Sequence, residues 1–277
     1  MTVLLGVAHG SKDPASQEVV RGLLARTAAL RPGLRVEAAY VDNASPSIRG
    51  ALAALAAEGV DDVVVLPLLL TPASHSKTDI AASVQAGRVS HPTMRLRYGR
   101  PLGPHPVLVE ELADRLAAAG AGPDDPVVLV AGGALDPDAN AAVAATARLL
   151  FEGRLWPLVD LAFASTVRPS VPEALERLRS QGFLRVSVAS YFLGPGFLPG
   201  RIAKQARSVE GLDVVVAAPL GVSDRLAALL AGRFDEALDG DIRMNCDACL
   251  YRIALPGRET AAGAPQLPHP HPDDAPG

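Results

Sequence analysis

The two halves of the chain share one series of sequence landmarks, and this repeat limits what the chain can fold into. Four segments of the first half recur in the second half in the same order, one of them with a single residue deleted. The pairs are LGVAHGS (5–11) with VLVAGGA (128–134), DNASPSIRGAL (42–52) with STVRPSVPEAL (165–175), LLLTPASHSKTDIA (68–81) with YFLGPGFLPGRIA (191–203), and RPLGPHPVLVEEL (100–112) with APLGVSDRLAALL (218–230). Four ordered matches are hard to obtain by chance, and two copies are too few for a solenoid. The sequence therefore predicts two copies of one structural unit.

Within the first copy, β-branched runs alternate with Ala- and Leu-rich amphipathic stretches. The predicted strands are Val3–Ala8, Leu34–Val41, Asp62–Leu69 and Met94–Gly99, and the predicted helices are Ser16–Leu30, Ser47–Gly59, Lys77–Val89 and Pro106–Gly120. Such alternation indicates parallel strands joined by right-handed helical crossovers. We therefore predict an α/β fold in which each copy is a small parallel sheet flanked by helices.

A turn-rich segment, AGAGPDDP (119–126), separates the copies. We predict an N-terminal domain over residues 1–122, which carries the candidate metal and catalytic histidines, and a degenerate C-terminal repeat over 126–243. Residues 244–277 form a Cys-x-x-Cys segment and a tail rich in Gly, Ala and Pro, whose composition predicts disorder.

Composition and charge exclude several classes of protein. The chain is 49% hydrophobic and 20% charged, which is typical of a globular protein, and its net charge of −4 argues against nucleic-acid binding. Its apolar runs are shorter than the roughly 18 residues of a membrane span, and its first residues do not resemble a signal peptide. Two cysteines without an export signal favour the reducing cytoplasm. We expect a monomer or a homodimer.

Four polar residues of the first copy follow predicted strands, and the second copy lacks them. At the corresponding positions the second copy has Gly132 for His9, Ser165 for Asp42, Phe197 or Leu198 for His75, and Ser223 for His105. Because the carboxyl ends of parallel strands meet at one edge of a sheet, where ligands bind, the four residues should lie near one another. Loss of the whole set from one copy suggests that its members work together.

Two imidazoles and a carboxylate suit Fe²⁺, Co²⁺, Ni²⁺ or Zn²⁺, and unmetallated histidines can accept protons near neutral pH. Each residue also has a simpler interpretation. A single histidine in a βα loop is usually a capping or solvent-facing residue, Asp42 fits ordinary turn chemistry, and His105 stands between two prolines at a helix start. The glycine patterns that bind ATP or dinucleotides do not occur after the predicted strands.

The motifs HGS (9–11), PASHSKTDI (72–80) and RPLGPHP (100–106), in two fused copies, resemble the sirohydrochlorin chelatases of the CbiX/SirB type. The resemblance spans residues 1–252. It implies tandem chelatase-like domains with the active site in their cleft, and ATP-independent insertion of Fe²⁺ or Co²⁺ into sirohydrochlorin in sirohaem or cobalamin biosynthesis. The divalent metal is then a substrate.

The resemblance also implies roles for individual residues. His9 and His75 would bind the metal and accept protons. Asp42 stands at a position where the family has an acidic residue, often glutamate, whose side chain is one methylene longer than that of aspartate. The substrate carries eight carboxylates, which cationic and polar side chains in these loops would contact. The candidates for substrate binding are Ser11, Lys12, Ser76, Lys77, Arg100, His105, Arg168 and Arg201. For each lysine and arginine among them, a solvated surface position without a role in binding is an equal alternative.

MNCDACLYR (244–252) places Cys246 and Cys249 in an M-x-C-x-x-C pattern, which resembles long family members that carry an iron–sulfur cluster. Two thiolates cannot complete a four-cysteine cluster, so the remaining ligands would come from a second chain or from other residues. A free dithiol or a reversible disulfide is the alternative.

Three functions stay open at the level of sequence. The leading hypothesis is a metal chelatase of the lyase class. The second is a non-catalytic metal or tetrapyrrole carrier that uses the same histidines. The third is a hydrolase with His9 as nucleophile or base, although Ala8 stands where an arginine would be expected.

Overall fold

The computed structural model describes residues 2–154 and 156–240, in which strands and helices alternate. The first half contains β1 (Val3–Ala8), α1 (Pro14–Leu30), β2 (Arg35–Tyr40), α2 (Ile48–Ala57), β3 (Asp62–Pro67), a π-helical turn (His75–Asp79), α3 (Ile80–Ser90), β4 (Arg95–Tyr98) and α4 (Pro106–Ala118). The second half contains β5 (Val127–Ala131), α5 (Pro137–Arg154), β6 (Val159–Phe163), α6 (Val171–Ser180), β7 (Arg185–Ser190), α7 (Phe197–Ala206), β8 (Asp213–Val216) and α8 (Asp224–Asp239).

The strands form two parallel sheets with the same topology. The first sheet has the order β2-β1-β3-β4 and the second the order β6-β5-β7-β8. Each adjacent pair is parallel, with Gly6 of β1 opposite Ala38 on one side and Leu66 on the other. The predicted α/β class and the repeated unit are therefore confirmed.

The sequence explains how α1 begins and how closely it packs. The Asp13 side chain accepts a hydrogen bond from the backbone N–H of Ala15 at 3.0 Å, and Pro14 is the first residue of the helix, as its missing N–H allows. A Cβ on Gly6 would lie 2.7 Å from Leu24 Cδ2, so the small residue in β1 lets α1 lie directly on the sheet.

Helices cover both faces of the first sheet. Val3, Leu5 and Val7 pack with apolar residues of α2 and α3. On the other face α1 packs against α8, which also contacts β3 and β4. A strand buried on both sides is expected for a parallel sheet, and all six residues of β1 are buried.

The compact units of the structure differ from the sequence copies. In the described part, one unit comprises residues 2–102 with 222–240, and the other lies within 103–221. Helix α4 of the first copy packs with α5 and β7, whereas α8 of the second copy packs with α1. The predicted boundaries at 122 and 126 therefore do not coincide with these units, because each unit is completed by the fourth helix of the other copy.

No helix within residues 2–154 and 156–240 combines the length and apolar character needed to cross a membrane. The predicted Cys246–Cys249 pair and the tail lie outside the described residues.

Candidate active site

The loops after β1 and β2 are joined through their backbones, and they carry His9 and Asp42. The N–H of Asp42 donates to the carbonyl of His9 at 2.8 Å. Gly10 has a φ of +97°, and a Cβ there would lie 1.6 Å from the Asp42 carbonyl oxygen. Only glycine permits both this backbone conformation and this close approach. The two candidate residues therefore lie on neighbouring, mutually bonded loops.

His75 reaches the same edge of the sheet from the π-helical turn that follows β3. The end of β3 is tied to β1 by a hydrogen bond of 2.7 Å from the N–H of Leu68 to the carbonyl of Val7. The ring centroids of His9 and His75 are 4.5 Å apart, and their planes meet at 88°. His9 is exposed and the His75 side chain is 30% exposed. The fold thus brings two imidazoles of distant sequence position together at an accessible edge.

Asp79, at the end of the π-helical turn, is a further candidate site residue, which is not among the residues predicted from the sequence. Its Oδ2 lies 2.6 Å from Nδ1 of His75, and its side chain is 3% exposed. The sequence did contain a signal, since residues four apart on a helix are neighbours. The predicted helix began at Lys77, however, so His75 and Asp79 were not assigned to one helical segment.

Tyr98 of β4 supports the π-helical turn. Its hydroxyl donates a hydrogen bond to the carbonyl of Ser76. Burial raises the pKa of Tyr98 above its usual range, and the negative charge of Asp79 raises it further. Tyr98 therefore stays protonated and remains a donor at physiological pH. The Ser76 hydroxyl donates to the carbonyl of Ala73, just before the turn, at 2.9 Å, which is a structural contact.

No group of three or more His, Cys, Asp and Glu side chains in the described chain is placed to hold a metal ion. The Asp42 carboxylate accepts a hydrogen bond of 2.7 Å from the N–H of Asn43, within its own loop. Nδ1 of His9 lies 3.3 Å from the Gly10 carbonyl and Nδ1 of His75 faces Asp79, so Nε2 is the metal-binding candidate on each ring. Direct ligation by Asp42 stays a prediction.

The predicted substrate residues of the first unit differ in their contacts. Lys12 is exposed and Lys77 is half-buried in the π-helical turn, whereas the Ser11 hydroxyl accepts the N–H of Asp13 at 3.1 Å. Arg100 forms two hydrogen bonds with Glu236 of α8, at 2.7 and 2.8 Å. This pairing lowers the pKa of Glu236 and attaches α8 to the loop after β4. Arg100 thus has a structural partner in its own unit.

The other three candidates belong to the second unit. His105 caps α4, with Nδ1 accepting the N–H of Val107 at 3.2 Å, as the simpler interpretation anticipated. Arg168 pairs with Glu173 while its side chain stays 84% exposed, and Arg201 is exposed on α7. Their roles in substrate binding stay predictions.

The second unit repeats the loop geometry without the imidazoles. The N–H of Ser165 donates to the carbonyl of Gly132 at 3.1 Å, as Asp42 does to His9. Gly133 has a φ of +85°, and its Cβ would meet the Ser165 carbonyl oxygen at 2.3 Å, as at Gly10. The backbone arrangement is therefore a property of the fold, and the histidines of the first copy are an addition to it.

The protein thus consists of two parallel-sheet units, and one of them carries a pair of histidines at the edge where its strands end. This arrangement defines a chelatase-like α/β protein. The CbiX family model matches residues 3–119 and again residues 126–237. The chain therefore belongs to the CbiX family, with one match in each sequence copy.

Two relatives agree in sequence with this assignment, and a solved structure shares the fold. The chain is 31% identical to a sirohydrochlorin cobaltochelatase of Priestia megaterium, over 92% of this chain and 86% of the relative. It is 26% identical to a sirohydrochlorin ferrochelatase of the same organism, over 83% of this chain and 88% of the relative. The structure of SirB from Bacillus subtilis with Fe³⁺ superposes with a TM-score of 0.77 at 24% identity, covering 87% of this chain and 97% of SirB, and shares the fold.

Proposed function

We propose that this chain is a sirohydrochlorin chelatase, which inserts Fe²⁺ or Co²⁺ into sirohydrochlorin without ATP. The observation that carries the proposal is the His9–His75 pair, with centroids 4.5 Å apart at the carboxyl edge of the sheet. Relatives of this chain are named for both cobalt and iron chelation of sirohydrochlorin. We further propose that it acts in the cytoplasm, as a monomer or a homodimer.

The two imidazoles match the chemistry of metal insertion. One divalent ion must be delivered to the macrocycle while two pyrrole N–H protons leave. Nε2 of His9 and of His75 would bind the ion weakly, and the same atoms would accept protons once the ion has moved to the macrocycle. Two protein ligands leave coordination positions open, whereas a closed four-ligand site would retain the metal.

Asp42 and the nearby cations would assist the two histidines. The backbone of the Asp42 loop is bonded to the backbone of His9, which supports a role for this carboxylate in attracting the ion and relaying protons. Lys12 follows His9 closely in sequence, and its exposed side chain would contact carboxylates of the substrate. The ammonium nitrogen of Lys77 is buried, so Lys77 would contact the substrate only after its side chain has moved.

Turnover with sirohydrochlorin tests the proposal. Purified protein is incubated with sirohydrochlorin and either Co²⁺ or Fe²⁺, and the absorbance of the tetrapyrrole is followed. We expect many equivalents of product per chain, at a rate above that of the spontaneous reaction. A limit of one equivalent would instead indicate the carrier function, and no acceleration would contradict the proposal. Competition between the ions measures which metal is preferred, since imidazole and carboxylate ligands suit both.

A matched pair of substitutions tests the single-site assignment. His75→Ala should lower turnover at least about 100-fold, because it removes a ligand and a proton acceptor. Phe197→Ala changes the corresponding position of the second copy, where the side chain is 81% exposed, and should leave turnover within about twofold. Equal losses in the two folded variants would contradict one site per chain.

A further inference from the structure

We propose that Asp79 is a positioning residue, which fixes the ring orientation and the tautomer of His75 so that Nε2 is presented to the metal. This inference rests on the proposed function, because it assigns His75 the role of a metal ligand. It adds a residue that does not itself touch the ion.

The contact between the two side chains determines where the His75 proton lies. Oδ2 of Asp79 is 2.6 Å from Nδ1 of His75, which is a short, charge-assisted distance. An ionised carboxylate only accepts hydrogen bonds, so Nδ1 must carry the proton. In neutral imidazole the lone pair is then on Nε2, which is the form that binds a metal. The burial of Asp79 limits competition from water for this bond.

The turn that carries the carboxylate is itself held in place. The Thr78 hydroxyl lies 3.2 Å from Oδ1 of Asp79, the carboxylate oxygen that does not face His75. The same hydroxyl donates to the carbonyl of Ser74 at 2.6 Å, and Tyr98 donates to Ser76. The π-helical turn is therefore bonded along its length, and such turns are frequent at functional sites. A ligand supported in this way keeps its orientation before the metal arrives.

The second copy shows that Asp79 and His75 occur together. Ile80 and Ala81 correspond to Ile202 and Ala203, so Asp79 corresponds to Arg201 and His75 to Phe197. In that copy α7 begins at Phe197 as an ordinary α-helix, without a π-helical turn. A carboxylate that served only to begin the helix would be needed in both copies. Its presence only beside the histidine agrees with a role that acts through His75.

Metal affinity gives the first test, in the full-length chain and without tetrapyrrole. Asp79→Asn keeps the shape of the side chain, but an amide oxygen accepts more weakly, and an amide N–H facing Nδ1 would favour the opposite tautomer. We expect Co²⁺ binding, measured by calorimetry, to weaken by about 10- to 100-fold. Asp62→Asn is the control, because Asp62 lies at the amino end of β3 and bonds Arg97 and Thr2. This variant should bind Co²⁺ as the wild type does.

The tautomer of His75 gives a second test, which a purely structural role would not affect. Spectra of ¹⁵N-histidine-labelled protein are recorded above the ordinary histidine pKa of about 6.5, and His75→Ala assigns the signal. The wild type should have the proton on Nδ1, and Asp79→Ala should move the proton largely to Nε2. Unchanged affinity in Asp79→Asn or an unchanged tautomer in folded Asp79→Ala would overturn the proposal. If Asp79→Ala does not fold, the affinity of Asp79→Asn decides.

These tests are separate from the test of function. A wild type that binds Co²⁺ with the proton on Nδ1, but does not turn over sirohydrochlorin, would contradict the chelatase proposal and leave the role of Asp79 intact. If the wild type turns over sirohydrochlorin and Asp79→Asn keeps the Co²⁺ affinity and the turnover rate of the wild type, the role of Asp79 is contradicted and the chelatase proposal stands.

Discussion

Gly10 determines how closely the loops of His9 and Asp42 can approach. Its positive φ and the absence of a Cβ let the carbonyl of Asp42 occupy the space where a side chain would begin. Gly133 repeats this arrangement in the second copy, where no histidine follows the strand. The small residue is therefore required by the fold, and the candidate site of the first copy depends on it because His9 precedes it directly.

Gly10→Ala should destabilise the chain and disturb the site. Gly33→Ala is the matched control, because Gly33 has a φ of +86° but a Cβ added to it would meet nothing within 4 Å. The control should cost about 1–2 kcal/mol from the backbone conformation alone. Gly10→Ala should cost more, because the backbone of the Asp42 loop must also move. Urea unfolding measures both variants, and Co²⁺ binding should weaken only in Gly10→Ala. Equal unfolding free energies would contradict the close approach.

Among the elements, the strands and helices were predictable, whereas the π-helical turn was not. The predicted β1 has the observed bounds, and the predicted β3, Asp62–Leu69, extends two residues beyond the observed strand. Hydrophobic periodicity determines such segments well. The π-helical turn has no comparable periodicity, since it depends on contacts of Thr78 and Tyr98 that form only in the folded chain. Sequence therefore predicted His75 but not the carboxylate that holds it.

Helix α6 offers a pH-dependent test of an element. The backbone N–H of Ser170 donates to Glu173 at 2.7 Å, and Arg168 also donates to this carboxylate. Together with the Ser170 hydroxyl, these bonds lower the pKa of Glu173 from 4.5 to about 2. A lowered carboxyl pKa stabilises the fold above the unfolded value, and the contribution disappears as the pH falls through about 2.

Glu173→Gln should therefore lower the thermal midpoint at pH 7, with a difference from the wild type that shrinks progressively below about pH 4.5. Glutamine resembles the protonated side chain, so the two proteins converge in acid. Glu176→Gln on the same helix removes only an exposed ion pair with Arg179, and it should change the midpoint little at pH 7. A Glu173→Gln difference that is constant with pH would contradict the assigned cause.

At the scale of the whole molecule, the repeat predicted the number of sheets but not which helices cover them. The amphipathic pattern of α4 indicates that one face is buried, and the same is true of α8. Neither pattern specifies the sheet against which that face packs. Sequence copies follow the order of the chain, whereas compact units follow the apolar surfaces that must be covered. That difference explains why the boundaries at 122 and 126 do not coincide with the units.

Hydrogen exchange can test this assignment of helices with a reciprocal pair of substitutions. Leu230 of α8 and Leu116 of α4 are both fully buried, so replacing either by alanine should cost about 2–5 kcal/mol. Because α8 contacts α1 and β3, Leu230→Ala should raise exchange mainly in those two elements. Leu116→Ala should instead raise exchange in α5 and β7, which α4 contacts.

Each variant is the control for the other, because the chemical change is the same and only the helix differs. Mass spectrometry gives the exchange rates of all the peptides. These rates show whether each helix protects the sheet that it contacts or the sheet of its own sequence copy. If units followed the repeat, Leu230→Ala would expose amides of β7 and β8, and Leu116→Ala would expose those of β1 and β3. That pattern, or equal exposure of both sheets by each variant, would contradict the exchange of helices. The predicted pattern arises because a helix protects the sheet that it covers, wherever it lies in the sequence.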